Sequence, residues 1–324
     1  LCGRKTQKST NMKKTILLIT TILSFSIMSF GQNNEMTLQE VASMPGAYIY
    51  QDVYRHNPPS FPRCDLSDSL KIGESTLHVE YELYVVSDTM TTTKYQDKVI
   101  CLIGDKIYWT FGESSWVSNM RATCQLTGSP DANKYNRSEG CTEIFASSLY
   151  RDLTTGNLIN CGLIPEIRNT MFRYDETLPE MNWELTGESE EMAGYICQKA
   201  VTKYAGREWT VWFSPEVPVD CGLWKFNGLP GLIMKAADSK EEYVFTLASM
   251  EQKQENITRY PKREKIVSRK EYRKAEKNSH DDPILISKGA DGYLLIMSRS
   301  RNLTGDEIFT SGHFLYPYNP IELE

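Results

Sequence analysis

The sequence predicts a mainly β protein: a curved antiparallel sheet, or open half-barrel, with one or two helices packed against it. An α+β arrangement is the alternative. Three observations predict this class. Apolar and polar residues alternate from Leu77 to Val85, aromatic and β-branched runs recur with short turns between them, and helical periodicity is rare. Segments that each carry one apolar face must bury it against another layer, and a curved sheet that does not close leaves a concave side to fill.

The chain begins with two segments outside that pattern. Leu1 to Asn11 carries Arg4, Lys5 and Lys8 with no apolar rhythm, and reads as upstream sequence that takes no part in the fold. From Met12, Lys13 and Lys14 precede an apolar run through Ile16, Leu18, Ile22 and Leu23 to Phe30, which is the layout of a secretory signal peptide over 12–31. The run is too short, and too interrupted by Thr and Ser, to anchor stably in a bilayer. Ser29-Phe30-Gly31 puts small residues where a signal peptidase reads, so cleavage is expected after Gly31, with the mature chain in the periplasm or secreted. No cysteine follows directly to accept a lipid, and no later stretch approaches the roughly eighteen apolar residues a spanning helix needs.

Residues 32–72 read as an N-terminal extension, with a helix-like Leu38 to Ala42, a Pro45-Gly46 turn and a proline-rich Asn57 to Pro62. A single β domain is expected over 73–324. Its first strand is the alternating Leu77 to Val85. Lys98 to Ile103 and Lys106 to Phe111 flank Gly104-Asp105, which signals a hairpin. From Glu113 to Asn169 the pattern weakens, with a short helix expected near Glu143 to Arg151. Asn182 to Leu185 is expected to enter an acidic loop, Gly187 to Glu191, followed by strands Gly194 to Thr202 and Glu208 to Phe213. Gly228-Leu229-Pro230-Gly231 suits a type II turn, with Gly231 at positive φ, feeding strands Leu232 to Ala236 and Tyr243 to Leu247. A charged surface helix is expected over Ile266 to Lys277, and Ser279-His280-Asp281-Asp282 before Pro283 reads as a solvated turn.

The run Trp224-Lys225-Phe226 followed by Gly228-Leu229-Pro230-Gly231-Leu232-Ile233 resembles the GLPGLI family, whose naming hexapeptide it contains letter for letter. Met181-Asn182-Trp183-Glu184, Gly194 to Ala200, Gly206-Arg207 and Trp212 to Val219 are similar to the family's pattern in the same order. The chain departs from it at Cys221-Gly222-Leu223, where the family carries a Gly-Pro pair. The resemblance runs over Leu77 to Glu324. It implies an exported envelope protein of Gram-negative bacteria, and it implies no activity.

Composition narrows the function classes. Net charge −6 and pI about 5.5 disfavour nucleic acid as a partner. With 4 histidines, none of them between Phe172 and Leu247, histidine acid-base chemistry has few candidates. No phosphate loop, dinucleotide fingerprint, nucleophile elbow or zinc helix occurs, so no catalytic residue, metal or cofactor is expected. Cys64, Cys101, Cys124, Cys141, Cys161, Cys197 and Cys221 follow the leader with no C-x-x-C spacing, which suits structural disulfides in an oxidising compartment. Because their number is odd, at least one is expected to stay free or pair between chains.

The motif then has two readings. In one, Gly228 and Gly231 turn the backbone, and Leu229, Leu232 and Ile233 are core. In the other, Trp224, Phe226 and Trp212 line an apolar surface, and Arg207 takes a carboxylate or phosphate bidentately, caps a turn, or pairs with a nearby glutamate. Three functions follow as expectations: a non-catalytic binder or carrier of an apolar ligand, an accessory protein docking on an outer-membrane transporter or assembly, or an enzyme of unknown type. A carrier should show a lined cavity and gain thermal stability with an apolar ligand, a docking protein a filled interior and an exposed aromatic patch, and an enzyme polar groups converging in a cleft.

Overall fold

The computed structural model describes residues 36–37, 69–88, 93–127, 134–136, 145, 147–163, 171–260, 264–281, 314–315 and 319–323. The leader over 12–31, the helix-like Leu38 to Ala42, the proline-rich 57–62, Cys64 and Cys141 lie outside them. The strands are β1 (Met36–Thr37), β2 (Leu70–Asp88), β3 (Thr93–Ile103), β4 (Ile107–Gly112), β5 (Ser147–Asp152), β6 (Asn157–Leu163), β7 (Met171–Thr177), β8 (Glu184–Met192), β9 (Tyr195–Tyr204), β10 (Arg207–Ser214), β11 (Leu232–Asp238), β12 (Tyr243–Arg259), β13 (Glu264–Ile266) and β14 (Phe314–Leu315). The two helices are α1 (Glu113–Thr127) and α2 (Arg269–Asp281).

Twelve strands form one open sheet in the order β13-β7-β6-β5-β4-β3-β2-β12-β11-β10-β9-β8, antiparallel except for β13 beside β7. The curved antiparallel sheet with few helices is therefore the fold. Strands β1 and β14 pair separately and in parallel. The alternation read from Leu77 onward is obeyed in β2: Leu77, Val79, Tyr81, Leu83 and Val85 are buried while the residues between them are half-exposed. Period two in side-chain direction makes that the inner face.

Three local readings change. The helix lies at Glu113–Thr127, and the stretch expected to be helical, Glu143 to Arg151, instead contains strand β5. Buried Asp97 accepts the Ser114 backbone N–H at 3.4 Å near the start of α1, a long-range contact that no window of sequence reveals. The acidic Gly187 to Glu191 is not a loop; it lies in the edge strand β8, whose register slips between Leu185 and Ser189. A bulged, glutamate-rich edge resists pairing with stray strands, which accounts for the pattern. Ser279, His280 and Asp281 form the end of α2, not a turn.

The main core joins β2, β3, β10, β11 and the long connection 215–231. A second cluster, around Trp109, Phe111, Tyr150 and Ile257, packs on the other face of β3 to β6. Helix α2 covers Phe172 and Tyr174 with Tyr272.

Candidate functional site

The connection between β10 and β11 carries the motif, and it folds onto the inner face of the sheet. Leu223, Trp224, Phe226 and Leu229 along it are buried among the inward side chains of β2, β9, β10 and β11. Trp224 meets Trp209 at 5.8 Å and Phe226 at 5.3 Å, and Phe226 stands edge-on to Trp209 at 5.0 Å and to Trp183 at 5.9 Å. Edge-to-face and tilted contacts at such distances suit the ring quadrupoles. Trp183 Nε1 donates to Asn227 O at 2.7 Å, and Tyr81 Oη donates to Ile233 O at 2.7 Å, tying both ends of the motif to neighbouring elements.

The motif's conformation is dictated by close approach. Gly228 takes φ +81°, but Gly231 does not adopt positive φ, so the expected type II geometry is corrected. Gly231 is required for space: a Cβ there would stand 2.1 Å from Ser214 O. Trp224 itself has φ +50°, a left-handed conformation unfavourable for an aromatic residue. Such strain persists only where surrounding contacts over-determine it, and here the ring cage does so. Pro230 and Gly228 are exposed, whereas Leu229, Leu232 and Ile233 are core. Trp224 and Phe226 thus pack into the core and do not line an open face. Trp212 points to the other side of β10, half-buried, with Lys199 Nζ 5.8 Å from its ring.

Between Trp224 and Phe226, the motif places a buried lysine. The side chain of Lys225, 1% exposed, makes ion pairs with Glu176 and, at 2.6 Å, with Glu322; both are ionic approaches without aligned hydrogen-bond directions. Arg269 of α2 donates to the other oxygen of Glu322 at 2.6 Å, and Arg273 donates to Glu322 O. Burial pushes the Glu322 carboxyl upward, but Lys225 and Arg269 outweigh it and hold it below the usual carboxylate range. Burial, with the charges of Glu322 and Glu176, pushes the Tyr174 and Tyr204 hydroxyls well up.

Arg207 forms the second polar cluster. Its five N–H donors all have acceptors: Asp238 at 2.7 Å, Glu242 at 2.8 Å, Asn319 Oδ1 at 2.5 Å, Pro320 O at 2.7 Å and Ile321 O at 3.1 Å. Its guanidinium also stacks 4.8 Å over Tyr243. Arg207 thus pairs with the carboxylates of Asp238 and Glu242. Lys225, Glu176, Glu322 and Arg269 were not legible as a group, since the only signal in the sequence is a lysine set between two aromatics in an apolar motif.

Among the described cysteines, Cys101, Cys161, Cys197 and Cys221 are buried free thiols, and Cys124 is buried on α1. None of these four is disulfide-bonded. Burial pushes the Cys101 and Cys221 thiols up to about 12. Among the described residues, no group of three or more His, Cys, Asp and Glu side chains is placed to hold a metal, and no helix is long and apolar enough to cross a membrane.

No family model and no curated protein matches this chain. Similar solved structures include two crystal forms of PNGF-II, at 13% and 14% identity, each with a TM-score of 0.43, covering 64% and 63% of this chain. They are matched over 34% and 33% of their own length, so this chain spans about a third of PNGF-II. An uncharacterized conserved protein from Thermus thermophilus is similar at 11% identity and a TM-score of 0.30, over 60% of this chain and 91% of that one. At these TM-scores the likenesses carry no argument about activity.

Proposed function

We propose that this chain is an exported, non-catalytic envelope protein that works by docking on another envelope protein and not by carrying an apolar ligand inside its sheet. The observation that carries this reading is the occupancy of the inner face. Trp224, Phe226, Leu223 and Leu229 of the chain's own 215–231 connection sit where an apolar cargo would lie. The polar groups that converge, around Lys225 and Arg207, are buried and ion-paired with one another, which favours a binding role over a catalytic one. Export is supported by the leader-like layout that begins at Met12.

The test is to purify the protein from its native envelope, extract it and identify small molecules by mass spectrometry, then melt it with and without palmitate. Docking predicts no stoichiometric apolar molecule and an unmoved melting temperature. A ligand that binds the folded state raises stability with concentration, so a saturable rise would restore the carrier reading.

A further inference from the structure

Two arginines are buried among the described residues, and their surroundings differ. Arg207 has an acceptor for each of its five N–H groups, at 2.5–3.1 Å. Arg151, in β5, is 7% exposed and shares the inner face with its cross-strand neighbours Tyr108 and Leu158, both part of the main core. Its three hydrogen bonds all run to one residue and all are long. Nη1 donates to Asp220 O at 3.4 Å, and Nη2 donates to the two carboxylate oxygens of Asp220 at 3.3 and 3.4 Å. Its Nε is buried without an acceptor among the described residues.

Charge-assisted N–H···O contacts close to about 2.7–2.9 Å when geometry allows. Arg207, Arg173 and Arg259 each reach a carboxylate at 2.7 Å. Arg151 is therefore a desolvated cation whose one counter-charge among the described residues is loosely engaged. That counter-charge is also free to leave: the Asp220 side chain is 56% exposed, against 8% for Arg151. It stands at the start of the motif connection, where Pro215, Glu216 and Pro218 are exposed as well. Asp220 addresses only the two terminal nitrogens. The edge formed by Nε and Nη2, which matches the two oxygens of a carboxylate side by side, is half used. A buried N–H without an acceptor is costly, and a buried cation gains most from an anion that meets it at full strength. Water would supply the hydrogen bond and not the charge.

We propose that Arg151 is a carboxylate-binding site, loosely held by Asp220 in the isolated chain and taken over by an aspartate or glutamate side chain of a docking partner. The inference rests on the docking reading and names the group the partner presents. Asp220 rotates into solvent, and the incoming carboxylate accepts from Nε and Nη2 together. A partner's side chain is specified because the site is reached across an exposed stretch of backbone, and because its present occupant is itself a side-chain carboxylate.

The experiment titrates the full chain with N-acetyl-aspartate α-amide at fixed ionic strength and follows the arginine Nε–H resonances by NMR. The Arg151 resonance, assigned through its own side-chain correlations, should move downfield saturably. That of Arg207, whose Nε already donates to Ile321 O, should stay in place. The neutral asparagine analogue should move neither. Asp220→Asn removes the competing carboxylate and should bind the aspartyl probe at least about tenfold tighter than wild type.

An Arg151 resonance unmoved in both proteins, an equal response to the asparagine analogue, or no gain in affinity in Asp220→Asn overturns the site. Acetate that moves the resonance where the aspartyl probe does not overturns the partner assignment, because the site then takes small free anions only. If Asp220→Asn does not melt cooperatively, the wild-type titration against the asparagine analogue decides. A protein indifferent to palmitate that fails these tests keeps the docking reading and loses only this site. A protein stabilised by palmitate loses the docking reading whatever the Arg151 resonance does.

Discussion

Two segments pack against the strands without joining the sheet, meeting where Lys225 approaches Glu322, and they are fastened by opposite means. The motif connection, 215–231, is held by rings, aliphatic side chains and a glycine pressed against a carbonyl. Residues 319–323 are held by two arginine clusters, a lysine and a few carbonyls. Apolar packing depends little on pH or salt and is lost only with the fold. Ionic and carbonyl contacts can be replaced one for one by a competitor of the same chemistry. A protein that must stay folded while exchanging partners is expected to use the first for its core and the second for its contact surface.

The difference can be broken most severely at Gly231. Gly231→Ala drives a Cβ to 2.1 Å from Ser214 O, and overpacking against backbone should cost about 3 kcal/mol or more in urea denaturation. Gly187→Ala is the control. It has φ +80° with nothing within 4 Å, and should cost only the left-handed penalty of about 1–2 kcal/mol.

Lys225→Met tests the ionic fastening. It removes the buried cation between Glu176 and Glu322, leaving them to Arg269, and should cost about 3 kcal/mol at neutral pH. Because the Glu322 carboxyl is depressed in the folded state, its contribution is present above the ordinary carboxylate range and is lost as pH falls through the folded value. The stability gap between wild type and Glu322→Gln should therefore close below about pH 4, as read by denaturation at stepped pH.

The apolar side responds at the other end of the scale. The raised thiols of Cys101 and Cys221 contribute stability in full below the unfolded thiol range and lose it as pH rises toward 12. The loss should be about 1 kcal/mol each over the first pH unit above roughly 8.5. Both should resist a thiol reagent at pH 8 until the chain is unfolded. The smallest effect is expected at the exposed edge, where Glu190→Lys should shift stability by no more than about 0.5 kcal/mol.

What the sequence disclosed follows the range of the interactions. Strand β2 was legible because alternation is a local signal, and the Gly104-Asp105 hairpin because turn chemistry is local too. Helix α1 was missed because Asp97, far from it in sequence, contacts its first turn. The acidic β8 was misread because charges that protect a sheet edge look like those of a loop. The aromatic members of the motif were visible, but whether they faced ligand or core depended on where the connection folded. The polar site was hidden for the same reason: Glu176, Lys225, Arg269 and Glu322 come from four separate segments, and no spacing joins them.

The central claim is that the chain fills its own inner face. The most direct measurement is the thermal and urea unfolding of the double variant Trp224→Ala with Phe226→Ala, followed by circular dichroism. Each truncation should remove about 3–5 kcal/mol, so the account predicts a protein without a cooperative transition. A double variant that melts near the wild-type temperature, with its sheet signal intact, would contradict it.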